Sequence, residues 1–377
     1  IKKFFRCLIE KGPLFALGKT IHFFKKKQSA RKFMKDNSFE PRTSGKTIEQ
    51  TVKFSILTPL YNTPERFLRE MIASVRNQTY PNWELCLCDG SDEEHSYVEQ
   101  CCTEESRKDP RIVYRKLTEN KGISENTNAC LRIATGDYLA ILDHDDLLHP
   151  DVLFETAKAI YEQGADFIYT DEAQFTASHN RFFNPHFKPD FTIDGLRAQN
   201  YICHFNAFKR SLIEIVGEYN PEYDGSQDHD MVLRLTEKAE CIVHIPRILY
   251  YWRVHSGSVA SSIEVKPYAV TAAHPAVEAH LKRCGLSGKV SSIQPYLTYY
   301  KIDYEIPVEP LITVIIYGDF SEGDLKRCIT YMEDMAEYPA LEVCIVEGNT
   351  AVNPDSVSLK DGQNLFFISG EEQSERS

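Results

Sequence analysis

The chain has 377 residues, enough for two or three domains of ~100–200 residues and for a core that needs no disulfide or metal staple. Hydrophobic residues at 42%, charged residues at 26% and only 18 Gly and 18 Pro exclude wholesale disorder, collagen and coiled coil, and no run approaches the ~18 apolar residues that would span a bilayer. The net charge of −12 is unevenly placed, because residues 1–50 carry 13 Lys/Arg against 4 Asp/Glu and the rest carry 30 against 51; the acidic body would be repelled by phosphate, so no nucleic-acid partner is expected.

The first 50 residues read as a basic arm and linker. Ile1 to Arg6 and Ile21 to Lys27 interleave aromatic and basic side chains, which suits an anionic membrane surface as well as a solvated linker helix. Ile1 to Lys3 open no secretory signal, and the start at Ile1 admits a removed preceding segment. The chain is expected to be soluble. Ser38 to Gln50 is polar and reads as the linker proper. The 11 cysteines include Cys86, Cys88 and the pair Cys101 and Cys102 but no Cys-x-x-Cys, so they are expected to be free thiols, mostly small core residues, in a reducing cytoplasm.

A compact domain is expected over 51–265. Phe54 to Thr58 is a short β-branched strand, followed by Thr63 as an N-cap and Pro64 at the first helical position. Phe67, Leu68, Met71, Ile72 and Val75 recur at helical spacing, predicting a helix over 64–77. A strand at 85–88 completes a βαβ unit whose strands are apolar on both faces, as a covered parallel sheet requires. The alternation continues with a strand at 111–116, a helix from Ser124 to Thr135 closed by Gly136, a strand at 138–142, a helix over Val152 to Gln163 stopped by Gly164, and a strand at 167–169. From 180 to 260 the pattern is irregular and rich in aromatic and polar clusters, although Ile242 to His244 reads as a strand.

Residues 266–310 read as a helical or linker region. Beyond them, Phe54 to Thr58 and Glu84 to Ser91 recur as Ile312 to Ile316 and Glu342 to Asn349, both at an offset of 258. Residues 311–377 are therefore expected to open a second domain of the same kind. That partial domain shows no acidic turn or base of its own and is expected to be inactive as it stands.

Three places carry candidate chemistry. Asp143, His144, Asp145 and Asp146 follow one strand and precede a helix; three carboxylates this close repel one another unless a cation offsets them, and all-oxygen ligands suit Mg²⁺ or Mn²⁺. Read alone, the cluster could equally be a solvated turn. Asp228 and Asp230 precede a second amphipathic run, where Asp228 could be a base and either could charge a helix N-terminus. His255 follows Tyr251, Trp252 and Arg253 in a polar turn, where it could complete a metal shell. Open α/β sheets collect ligands beyond the carboxyl ends of their strands, where Thr58 to Asn62, Asp89 and Asp143 to Asp146 all lie.

Taken in order, Thr58 to Asn62, Asp89 to Ser91, Asn120 to Ser124, Gly136 to Leu139, Asp143 to Asp146, Ser226 to Asp230 and Trp252 to His255 resemble the catalytic domain of glycosyltransferase family 2, over about 54–260. The resemblance implies an α/β GT-A fold with a mostly parallel central sheet and helices on both faces. It is strongest to bacterial members, often tandem, that build surface polysaccharides or glycoprotein glycans. It implies an inverting, metal-dependent enzyme of hexosyltransferase type, moving a sugar from a UDP- or dTDP-linked donor to a hydroxyl of a glycan or lipid-linked glycan, in the cytoplasm or at its membrane face. By resemblance Thr58, Pro59, Tyr61, Asn62, Asp89, Lys121, Gly122, Asp143 and His144 bind the nucleotide sugar, with Asp89 reading the base. Asp145, with His255, holds Mn²⁺ or Mg²⁺, and Asp228 is the catalytic base. Cys88 stands where many members carry an acid, and the Gln-x-x-Arg-Trp signature of processive members is absent, so single additions are expected.

The segment from 182 to 210 mixes aromatic rings with hydrogen-bonding groups, which suits a sugar acceptor. Lys188, Asn200, His204 and Gln227 are its polar candidates. Two other functions compete. A non-catalytic nucleotide-binding scaffold would not need Asp145, Asp228 and His255 together. A sugar-nucleotide pyrophosphorylase would want a Gly-rich basic loop where Tyr61 to Pro64 stand, and a nicotinamide dehydrogenase would want a Gly-x-Gly-x-x-Gly opening the first helix.

Overall fold

The structure is a computed structural model that describes residues 39–43, 45–48, 51–176, 182–255, 267–335, 338, 340–347 and 364–368. The chain divides into two compact units between Asp303 and Tyr304. The basic arm over 1–38, with its expected membrane contact, lies outside the described residues.

The first unit is built on β1 (Phe54–Leu60), β2 (Trp83–Asp89), β3 (Ile112–Lys116), β4 (Tyr138–Ile141), β5 (Leu147–Leu148), β6 (Phe167–Phe175), β7 (Phe182–His186), β8 (Asn206–Lys209) and β9 (Ile242–Arg253). They form one sheet in the order β3-β2-β1-β4-β8-β6-β9-β5, with β7 beside β6. Strands β5, β7 and β8 are reversed and the other six share one direction, so the sheet is mostly parallel, as the resemblance implies. Every residue of β1 and β2 is buried, which explains why these strands read as unbroken apolar runs.

Helices cover both faces. On one face α1 (Glu65–Arg76), α2 (Tyr97–Lys108) and α4 (Val152–Gln163) pack; on the other lie α3 (Ile123–Ile133), α5 (Ile193–Ala198), α6 (Arg210–Val216), α7 (Gln227–Thr236) and α8 (Pro267–Arg283). Leu68, Met71, Ile72 and Val75 of α1 are buried, each contributing roughly 1.5–3 kcal/mol of transfer free energy. Helix α2 was not expected from the sequence: it buries only Val98, Cys101, Cys102 and Glu105 and carries a weak apolar stripe.

Two local expectations change. Thr63 does not cap α1, whose N-cap is Pro64 without a side-chain bond; its hydroxyl instead pairs with His144 Nδ1 at 2.9 Å. Helix α3 ends at Ile133, short of Gly136. A Cβ on Gly136 would come within 2.7 Å of the backbone of Lys53 and Ser55, so this glycine allows close approach to β1 and does not stop the helix. Gly164 does end α4, in the left-handed conformation.

The expected linker is partly fixed. Phe39 packs 5.1 Å from the Tyr251 ring and 5.7 Å from His149. The N–H groups of Arg42 and Thr43 donate to the buried Asp151 carboxylate at 2.7 and 3.3 Å, and the Thr43 hydroxyl joins them. Similarly, 267–304 is more than a connection. Helix α8 and the hairpin β10 (Gly288–Ile293) and β11 (Tyr296–Tyr304) send Ala273, Val277, Leu281, Val290 and Tyr300 into the core of the first unit.

The second unit, taken by itself, is a three-stranded parallel sheet of β12 (Ile312–Gly318), β13 (Leu341–Glu347) and β14 (Asn364–Ile368) with α9 (Glu322–Met335). Leu325, Ile329, Val343 and Ile345 make its small core.

Candidate active site

The carboxyl ends of β1, β2 and β4 hold the first group of residues the sequence picked out. Thr58 is buried near the end of β1, and its hydroxyl is one of the few buried polar atoms among the described residues with no hydrogen-bond partner. Tyr61 projects from the following turn, 47% exposed. Asn62 has a left-handed φ of 50°. Its N–H donates to the Ser91 hydroxyl and its amide exchanges bonds with Asp92, tying the loop after β1 to the loop after β2. Asp89 is wholly buried and fully engaged: it accepts from Ser91 N–H at 2.8 Å, Tyr114 OH at 2.9 Å and Lys116 Nζ at 3.1 Å. In this arrangement Asp89 braces the end of β2.

Lys121 is exposed and pairs with Glu119. Gly122 has φ 95°, and a Cβ there would meet Asp224 Oδ2 at 2.5 Å. A glycine is needed because Asp224 reaches across to the N-terminus of α3, accepting from Ser124 N–H at 3.3 Å. That contact brings the loop before α7 against Gly122 and the start of α3.

The acid turn is held from three sides. Asp146 is wholly buried and accepts from Tyr250 OH and Arg253 N–H, both at 2.6 Å. Burial, reinforced by the neighbouring Asp145 and Asp143 charges, pushes its carboxyl well above the ordinary aspartate value. Arg253, itself buried between the rings of Phe67 at 4.3 Å and Phe175 at 4.5 Å, donates Nε–H to the Asp145 carbonyl and pairs with Glu70 at 2.8 Å. His144 joins Thr63. Asp143 and Asp145 are left facing the crevice, and Asp145 Oδ2 stands 2.8 Å from His255 Nε2. Oxygens of Asp143, Asp145 and Asp146 lie within 4.8 Å of one another. With Asp146 spent on Tyr250 and Arg253, Asp145 and His255 form the carboxylate and imidazole set that fits a divalent ion such as Mn²⁺.

Asp228 sits in the first turn of α7. Burial and then the charge of Asp143 raise its pKa to about 6, while His204 and a hydrogen bond from Gln227 oppose the shift. Asp143 is therefore near enough to Asp228 for its charge to act on it. Gln227 also accepts from Gly225 N–H at 2.8 Å, shaping the turn that presents Asp228.

Among the residues assigned to an acceptor, Lys188 is corrected. The side chain of Lys188 is wholly buried; its ammonium donates to the carbonyls of Ile202 and His204 and pairs with Glu172 at 3.4 Å, so no donor remains for a sugar. Asn200 is half-buried, and its side-chain oxygen accepts from Cys203 N–H at 3.3 Å. His204 lies between two carboxylates, Nε2 at 3.3 Å from Asp143 and Nδ1 at 3.5 Å from Glu172, with its ring stacked 4.8 Å from Tyr250. Burial would lower its pKa, but Asp143 and Glu172 carry it well above the ordinary histidine value. Glu172 and Arg253 are site-shaping residues that sequence reasoning gave no role. Arg253 lies inside a quoted motif, whereas Glu172 sits in a stretch with no distinguishing pattern.

A sequence model described as glycosyl transferase family 2 matches residues 55–216. The chain is 35% identical over 308 residues to the protein y4gI of Sinorhizobium fredii, covering 80% of this chain and 33% of that protein. It is 31% identical over 306 residues to the O-antigen biosynthesis protein RfbC of Myxococcus xanthus, covering 81% and 24%, and 27% identical over 212 residues to chondroitin synthase of Escherichia coli, covering 55% and 30%. The chain thus spans a third or less of the length of these relatives. The structure of S. aureus TarS 1-349 in complex with UDP-GlcNAc shares the fold, with a TM-score of 0.50 and 19% identity over 61% of this chain and 66% of that one. Residues 55–216 of the chain are thus a glycosyl transferase family 2 domain.

Proposed function

We propose that the first unit transfers a sugar, with inversion, from a UDP- or dTDP-linked donor to a hydroxyl of a glycan or glycoconjugate acceptor during bacterial surface-polysaccharide or glycoprotein glycan synthesis. The observation that carries this reading is the acidic group around the turn: Asp143 and Asp145 lie together, and the charge of Asp143 helps raise the pKa of Asp228 to about 6. The names of two relatives, an O-antigen biosynthesis protein and a chondroitin synthase, support the polysaccharide context.

In the reaction the bond from sugar C1 to the diphosphate oxygen breaks, its electron pair leaving with the phosphate. The bond from the acceptor oxygen to C1 forms, and the hydroxyl proton passes to Asp228. A carboxylate with a pKa near 6 is ionised at neutral pH yet basic enough to take that proton as attack proceeds, a contribution of roughly 10²–10⁴-fold. Attack from the Asp228 side, opposite the leaving diphosphate, inverts the anomeric carbon without a covalent enzyme intermediate.

Asp145 and His255 would hold Mn²⁺ or Mg²⁺, which supplies Lewis-acid stabilisation of charge on the departing diphosphate. Arg253, Tyr250 and buried Asp146 keep the turn in shape for that task. On the other side of the crevice Thr58, Pro59, Tyr61 and Asn62 offer a slot for the nucleoside, Asp143 and His144 line its inner edge, and Lys121 with Gly122 flanks the entrance to α3.

Incubation with Mn²⁺ and a panel of nucleotide sugars, with and without glycan acceptors, tests the reading through release of nucleoside diphosphate. Acceptor-stimulated release of one nucleoside diphosphate is expected; silence across the panel would reject it.

A further inference from the structure

His204 and the buried side chains behind it have no role in the chemistry derived above. Lys188, on the far side of Glu172, is enclosed and fixes the chain at Ile202 and His204 through their carbonyls. Glu172 accepts the backbone N–H of His204 at 3.2 Å and stands 3.5 Å from its ring Nδ1. A charged pair this deep is costly to bury unless its partners are all in place, and here Lys188, His186 and His204 hold Glu172 far below the usual carboxylate range against the burial that would raise it. Tyr250 clamps the imidazole by stacking at an interplanar angle of 11°. The same Tyr250 donates to Asp146 and accepts Asp143 N–H at 3.3 Å. The ring of His204 is therefore fixed in depth, tilt and direction by groups outside the crevice, and its remaining nitrogen meets Asp143 Oδ2.

We infer that His204 is a positioning residue for the donor site: anchored on the buried Lys188 and Glu172, it fixes the carboxylate of Asp143 so that Asp143 meets the nucleotide sugar in one orientation. This rests on the reading of Asp143 as a donor-site residue. It also sets His204 apart from the acceptor, since its ring nitrogens face the carboxylates of Asp143 and Glu172 at 3.3 and 3.5 Å. A charge-assisted bond that orders a binding carboxylate acts on the ground state and transition state alike, so its loss appears in donor affinity and leaves the chemical step little changed.

The test uses the full chain and two measurements. First, thermal unfolding without any nucleotide is compared for His204→Phe, Asp143→Asn and the double variant. Phenylalanine preserves the stack on Tyr250 while removing both nitrogens. The two substitutions are expected to be coupled, the second lowering the midpoint less once the first is present; strictly additive shifts overturn the inference whatever the nucleotide measurements show. Second, UDP and dTDP binding in Mn²⁺ and donor kinetics are measured for wild type, His204→Phe and His204→Gln. His204→Phe should weaken nucleotide binding and raise donor KM by roughly tenfold to a hundredfold, with kcat held within about threefold at a pH high enough to keep Asp228 ionised in every variant, and His204→Gln, which restores one N–H toward Asp143, should recover part of the loss. Unchanged KM, or a fall in kcat alone, overturns it. If the stability coupling is present while wild type binds neither nucleotide, the donor reading fails and the structural relay stands.

Discussion

The two halves of the first unit use charge in opposite ways. From β1 to the acid turn, the sheet is parallel and apolar and the chemistry stands at strand ends, with Asp143 and Asp145 facing the crevice. From β6 to β9 the strands reverse direction among themselves, and the charged residues are drawn into the protein, as Lys188, Glu172, Asp171 and Arg253 show. On the proposed function, the difference teaches that the first half supplies reactive groups, whereas the second is an electrostatic frame that orients them. Asp228 is the exception, a second-half residue returned to the crevice by the contact between Asp224 and the start of α3.

Substitutions that remove a crevice group should therefore abolish chemistry and spare the fold. The largest effect expected is from Asp228→Asn, which should reduce acceptor-dependent nucleoside diphosphate release by about 10²–10⁴-fold while nucleotide binding persists; unchanged turnover would remove Asp228 as the base. Asp145→Ala should weaken Mn²⁺-dependent nucleotide binding by more than the roughly 10–100-fold that loss of an outer-shell partner costs, and intact metal dependence would move the ion elsewhere.

Frame substitutions should do the reverse. Lys188→Met leaves Glu172 buried without its ammonium and should destabilise the first unit by about 3–5 kcal/mol in denaturant unfolding; a neutral result would show that the pair is not part of the frame. The pH profile joins both halves. Because the pKa of Asp228 is raised to about 6, kcat/KM should fall as pH drops through that value and level off above it, as a base that must be ionised requires. Asp143→Asn removes a like charge and should move that acid limb to lower pH. The smallest effect expected is from Thr43→Val, which loses one buried hydroxyl bond to Asp151 and should cost about 1 kcal/mol.

What the sequence reveals follows the same divide. Strands β1, β2 and β4 and helices α1, α3 and α4 are legible because burial on one stripe or both faces writes a strong apolar period. Helix α2 escapes because most of its surface is solvated and its buried groups include two cysteines and a glutamate. Lys188 looks like a sugar contact because its residue type is polar, and only coordinates show that its ammonium is already taken. Glu172 escapes for the complementary reason: its importance comes from neighbours 14 to 32 residues away along the chain, which no local pattern records. The ordered set of short motifs did reveal the family, because turns at strand ends keep their order even when the elements between them vary.

The grip of residues 39–43 on Asp151 has a practical consequence. The span recognised as the family begins at residue 55, yet a carboxylate three residues past β5 takes hydrogen bonds from a peptide 108 residues upstream. Trimming the protein to the recognised span would strip away these donors and uncover Tyr251, next to the tyrosine that holds the acid turn. The working boundary of this unit therefore lies upstream of where its first strand begins, at or before Phe39.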